Sequence, residues 1–102
     1  MDTELPLYLY HGTSFKKFKA MKADSFKVNN IYAGDGQENA LERAKAQAAA
    51  DESQPVVIIL DREKIKHCMT FYDGPLLFTG NVRECIVRAY IYDKEEEVGL
   101  KL

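Results

Sequence analysis

"PVVIILD" (residues 55–61) is the stretch that decides the fold. Val56, Val57, Ile58 and Ile59 are β-branched and Leu60 continues the apolar run, with no polar residue to mark a solvent side. Such a run reads as a strand buried on both faces. Immediately before it, Glu38 to about Ala50 is rich in alanine and reads as a strong helix. Ala40, Leu41, Ala44 and Ala48 fall on one stripe of that helix, the face that packs. Asp35 and Glu38 have capping-box spacing at its start, and Ser53, Gln54 and Pro55 end it.

Further toward the N-terminus, "IYA" (31–33) reads as a very short strand, and "VNN" (28–30) has turn chemistry. Leu5 to Tyr10 reads as the first strand. Ser14 can cap a helix from Phe15 to about Ala23, with Phe15, Phe18 and Met21 on one face and Lys16, Lys17 and Lys19 elsewhere. On the other side of the central run, Asp61 to Lys66 is a turn or short helix, "MTFY" (69–72) a strand and "DGP" (73–75) a turn. "LLF" (76–78) is short and extended, and "TGN" (79–81) is another turn. Cys85 to Tyr92 alternates, with Ile86, Arg88, Tyr90 and Tyr92 on one side and Cys85, Val87, Ala89 and Ile91 on the other. Residues 93–102 read as a polar, frayed tail. Strand, helix, strand, helix and then mainly strands predict an α+β domain whose later strands are antiparallel.

At 102 residues the chain is one domain, residues 1–102, with one modest core. Hydrophobic residues at 46% and charged residues at 29% place it among ordinary globular proteins. A net charge of -2 supplies no global drive toward nucleic acid. The lysines of "KKFKAMK" (16–22) read first as the solvated face of a helix. No apolar run approaches membrane-spanning length, and the N-terminus lacks a signal-peptide pattern, so the expected location is the cytoplasm. Cys68 and Cys85 are too few for a disulfide framework. His67 adjoins Cys68, but adjacent side chains diverge and no ligand spacing supports it, so no metal is expected. "GDGQEN" (34–39) follows a strand and opens a helix, yet its third glycine position is Asn39 and no βαβ repeat follows. A dinucleotide-binding Rossmann unit is therefore not the reading.

What remains is a constellation of His11 in "YHGTS" (10–14), Tyr32 in "IYA" and Glu84 in "FTGNVRECIVRAYIY" (78–92). Singly, each has an ordinary explanation as a strand-end histidine, a core aromatic and an exposed strand start. Together, and in this order, they resemble the ADP-ribosyltransferase superfamily, in particular its His–Tyr–Glu group. In that family the first strand ends in His-Gly-Ser/Thr before a short helix. A second strand carries the tyrosine and leads into an alanine-containing helix, matched here by "NNIYAGDGQENALERAKAQA" (29–48). An apolar strand follows, matched by 55–61, and the glutamate comes near the start of a late strand. The resemblance runs over about residues 8 to 92.

The resemblance implies a pair of small, mainly antiparallel sheets with two helices near the N-terminal half. It implies NAD+ as the substrate and no metal. ADP-ribose would pass to a protein or nucleic-acid acceptor with release of nicotinamide. Small stand-alone relatives act as toxins or phage effectors. By resemblance, Glu84 would hold the ribose 2'-hydroxyl and favour the developing positive charge. Tyr32 would stack on nicotinamide and His11 would bond a ribose hydroxyl. Gly12 would bring its backbone close to the nicotinamide amide, and Thr13 or Ser14 would add a ribose or phosphate contact. The turn from Phe78 to Arg83, with Thr79 and Asn81, would face the acceptor. Val82 stands two positions before Glu84, where arginine-modifying members carry a second glutamate, so arginine is not the implied target. Gly34 replaces the serine or threonine frequent two places after the tyrosine. The arginines of the RNA 2'-phosphotransferase branch have no counterpart near His11. The other reading of the same fold is a degenerate module that binds a nucleotide or a partner protein.

Overall fold

The computed structural model describes residues 8–33, 36–61, 64, 69–70, 76–81, 83–93 and 96–100, with the backbone alone for 27–33, 69–70, 76–81 and 93. Strand β1 (Tyr8–Ser14) is followed by α1 (Phe15–Ala23), β2 (Lys27–Ala33), α2 (Gln37–Asp51) and β3 (Pro55–Asp61). Then come β4 (Met69–Thr70), β5 (Leu76–Asn81), a 3-10 turn (Arg83–Cys85), β6 (Ile86–Asp93) and β7 (Glu96–Leu100). Two antiparallel sheets result, β1-β3-β6-β7 and β2-β5-β4. This is the mixed α+β layout expected, with α1 and α2 in the N-terminal half.

The run 55–61 lies inside the larger sheet, bonded to β1 on one side and β6 on the other. Val56, Ile58 and Leu60 join Leu9, Ile86, Ala89 and Ile91 in one cluster, closed by Phe18 of α1 and by Phe26. Val57 meets Ala40 and Ala44 of α2 together with Tyr90 in a second cluster, against which Ile59 packs. The strand is thus covered by α1 on one face and α2 on the other, which is why it needs no polar alternation.

The helix ends follow from local chemistry. Ser14 is the N-cap of α1, accepting from the Lys17 N–H at 3.1 Å. The helix closes with the Phe26 N–H on the Met21 carbonyl at 2.6 Å and the Ser25 N–H on the Lys22 carbonyl at 3.1 Å. Ser25 takes the left-handed conformation, φ 57°, that this closure requires. The turn delivers the Phe26 ring edge-on to Phe18, with centroids 5.8 Å apart. Gly36 is the N-cap of α2, with no side-chain cap, so the helix opens one residue after the expected Asp35. Asp35 itself lies outside the described residues. At the far end, the Ser53 N–H reaches the Ala48 carbonyl at 2.8 Å and Glu52 turns left-handed, φ 52°. Ala40, Ala44 and Ala48 are buried, so α2 rides low on its sheet.

Four expectations need correction. The first strand does not end at His11 but runs on to Ser14, because Gly12, Thr13 and Ser14 pair with Val57, Val56 and Pro55. "VNN" is no turn but part of β2, where the register against β5 shifts between Val28 and Ile31. An irregularity of this kind accommodates the turn-prone Asn29 and Asn30 without breaking the strand. Phe78, Thr79 and Asn81 do not form a turn. They belong to β5, where Phe78 pairs with Ile31 and Asn81 with Lys27. Pairing with β2 overrides the turn preference of Thr-Gly-Asn. Finally, the tail is not frayed over 96–100. It forms β7 on the edge of β6, and its polar composition suits a strand of which only Leu100 is half-buried.

The alternation along β6 is also interrupted. Arg88 pairs with Ile59 and Ile86 with Leu60, which leaves Val87 bulged and 49% exposed. The bulge turns Ile86 into the cluster of Ala89 and Ile91 instead of the side of Tyr90 and Tyr92.

Candidate functional site

His11 lies in the middle of β1, opposite Ile58, and is half-buried. Pleating places it on the same side of the strand as Leu9 and Thr13. Tyr32 belongs to β2, opposite Leu77, and its side chain lies outside the described residues. β1 is one edge of the larger sheet and β2 one edge of the smaller, and these two strands lie against each other. The strands of His11 and Tyr32 are therefore neighbours at the seam between the sheets.

Glu84 sits elsewhere. It is exposed in the 3-10 turn that leads into β6. β3 separates β6 from β1, so two strand spacings of about 4.8 Å each lie between them. Along the strands, His11 is level with Ile58 and Ala89, whereas Ile86 is level with Leu60 and Leu9. Glu84 precedes Ile86, in the 3-10 turn before the strand begins. The structure thus lays β1 and β2 side by side and places Glu84 in the turn before β6, with β3 between that strand and β1. Arg83 is exposed beside it in the same turn.

The residues after His11 have structural occupations. A Cβ at Gly12 would stand 1.8 Å from the Ala40 carbonyl oxygen. Gly12 is thus the place where α2 crosses β1, and the absent side chain serves the helix. Thr13 is 3% exposed and Ser14 is fully buried, so neither hydroxyl presents surface to a ribose or phosphate. The Ser14 hydroxyl donates to Asp51 Oδ2 at 2.6 Å while accepting from Lys17.

This bond belongs to a junction that the sequence reading missed. Gln47 Nε2 donates to the same Asp51 oxygen at 3.0 Å, the Lys16 N–H donates to Ser53 Oγ at 3.0 Å, and the Phe15 N–H donates to the Gln54 carbonyl at 2.7 Å. The end of α2 therefore supplies acceptors to the start of α1, where N–H groups lack helical partners and negative charge is favoured. The Ser14 hydrogen bond, opposed by desolvation and aided by Gln47, Lys17 and Lys16, holds the Asp51 carboxyl below its ordinary value. "SQP" (53–55) read only as a helix terminator. Its acceptors became legible once the two helix ends met.

On the α2 side of the sheet, Gln37 Nε2 donates to the Tyr90 hydroxyl at 2.5 Å. Burial raises the Tyr90 phenol above its ordinary value, partly offset by that hydrogen bond. Arg88 lies over the Tyr90 ring at 5.0 Å and reaches Glu97 at 3.3 Å. Among the described residues no group of three acidic, histidine or cysteine side chains is placed to hold a metal. No helix among them is long and apolar enough to cross a membrane. Comparison with protein-family models finds no match, and comparison with curated proteins finds no similar sequence.

Proposed function

We propose that the chain is a miniature ADP-ribosyltransferase-type domain. It takes NAD+ at the seam between its two sheets and acts in the cytoplasm, as a toxin or phage effector, on a protein or nucleic-acid acceptor. The observation that carries this reading is that edge strands β1 and β2, which bear His11 and Tyr32, lie side by side. In the reaction, the bond between nicotinamide nitrogen and ribose C1' breaks. Nicotinamide leaves as a neutral base, the acceptor nucleophile bonds to C1', and the acceptor's proton is released. His11 would orient the ribose and Tyr32 would stack on nicotinamide. A carboxylate is needed to favour the oxocarbenium-like charge.

The placement of Glu84 across β3 favours a second reading, in which the same seam binds a nucleotide or a partner without transfer. Titration calorimetry with NAD+ and a nicotinamide-release assay in lysate separate the two. Wild type, His11→Ala and Glu84→Gln are compared. Transfer through Glu84 requires release by the wild type and a loss of turnover far greater than any loss of NAD+ affinity in Glu84→Gln. Release that survives Glu84→Gln but not His11→Ala removes Glu84 and keeps the seam. Binding without release selects the second reading. No NAD+ binding by the wild type rejects NAD+ as the ligand.

A further inference from the structure

A groove of about 490 Å³ runs between α1 and the end of β7, lined by Phe15, Phe18, Lys19, Lys22, Ala23 and Leu100. Its floor is apolar, with Phe18 recessed at 2% exposure, and its rim carries lysine. Helix α1, one wall of the groove, is basic. Four of the chain's 14 basic residues fall within the nine residues of α1, which holds none of the 16 acidic ones. Lys16 and Lys17 act on the Asp51 carboxylate at the helix start. Lys19 and Lys22 lie at the groove, and the Lys19 ammonium sits 5.0 Å over the Phe15 ring, held at the lip.

We propose that this groove docks a short acidic peptide segment of a partner protein. The peptide inserts one bulky apolar side chain toward Phe18, between α1 and Leu100, and sets carboxylates against Lys19 and Lys22. Two features select this occupant. A cationic rim around an apolar floor is complementary to carboxylates flanking an apolar residue. The concavity also favours an inserted knob, because a bilayer surface is met by apolar side chains that protrude, and here Phe18 is recessed and Phe15 and Leu100 are half-buried while the lysines are exposed. The inference is independent of NAD+ chemistry.

The test is fluorescence polarisation with a fluorescein-labelled peptide of alternating glutamate and leucine around a central phenylalanine. Its control replaces every glutamate by glutamine. Wild type binds the acidic peptide, and binding weakens at high salt. The Lys19→Glu, Lys22→Glu double variant, shown folded by circular dichroism, loses at least about tenfold in affinity, as does the glutamine peptide against wild type. No binding by wild type, or equal binding by the charge-reversed variant, overturns the proposal. Sedimentation of wild type with phosphatidylserine vesicles, in the absence of peptide binding, assigns the patch to a membrane surface and overturns it as well.

Discussion

His-Gly-Thr-Ser shows how much a residue's meaning depends on its neighbours in space. The family resemblance gives all four positions a contact with NAD+. In the fold, His11 is half-buried on β1, the strand that lies beside β2; Gly12 accommodates a helix, and Thr13 and Ser14 are buried. The Gly12 assignment has a direct check. Gly12→Ala would drive a methyl group into the Ala40 carbonyl, so α2 must shift off its sheet. Overpacking of this kind costs about 1–3 kcal/mol, and the rigid backbone neighbour puts this case toward the upper end. Thermal melts should show a large drop in Tm whether or not NAD+ is present. A variant as stable as wild type would return Gly12 to the ligand site.

Among the elements, α1 and α2 are joined end to end by Ser14 and Asp51. Because the folded pKa of Asp51 lies below its unfolded value, its stabilising effect is present above that unfolded value, near 3.8. The effect is lost as pH falls through the depressed folded value. Wild type should therefore be more stable than Asp51→Asn at pH 7. Urea midpoints of the two should converge as pH drops below about 4. A stability gap that stays constant into strong acid would remove the Ser14–Asp51 bond as its source. The element bounds themselves were unevenly readable. Ser14 and the spacing of Phe15, Phe18 and Met21 specify α1 over its whole length, because capping and helical periodicity are local. The second half of β5 and the whole of β7 were missed because Thr-Gly-Asn and the Glu-rich tail have weak intrinsic strand preference. They become strands by pairing with β2 and β6.

Across the whole molecule, the layers predict an ordering of stability. β3 is bonded on both sides and covered on both faces, whereas β7 is an edge strand with exposed side chains. In hydrogen-exchange measurements the amides of Val56 to Leu60 should be among the slowest, while those of β7 open well below the global unfolding free energy. Equal protection of the two strands would contradict a core centred on β3.

The linear chain by itself determined the α+β class, the buried strand 55–61, both helices and the residues worth asking about. Those features depend on periodicity, capping and β-branching, which act within a few residues. Only the tertiary structure decided that β1 and β2 lie together while Glu84 lies across β3, that Gly12 belongs to a helix contact, and that Val87 bulges out of β6. Strand order and bulges are settled by pairings between residues far apart in the chain. A single residue's identity carries no record of which strand will lie beside it.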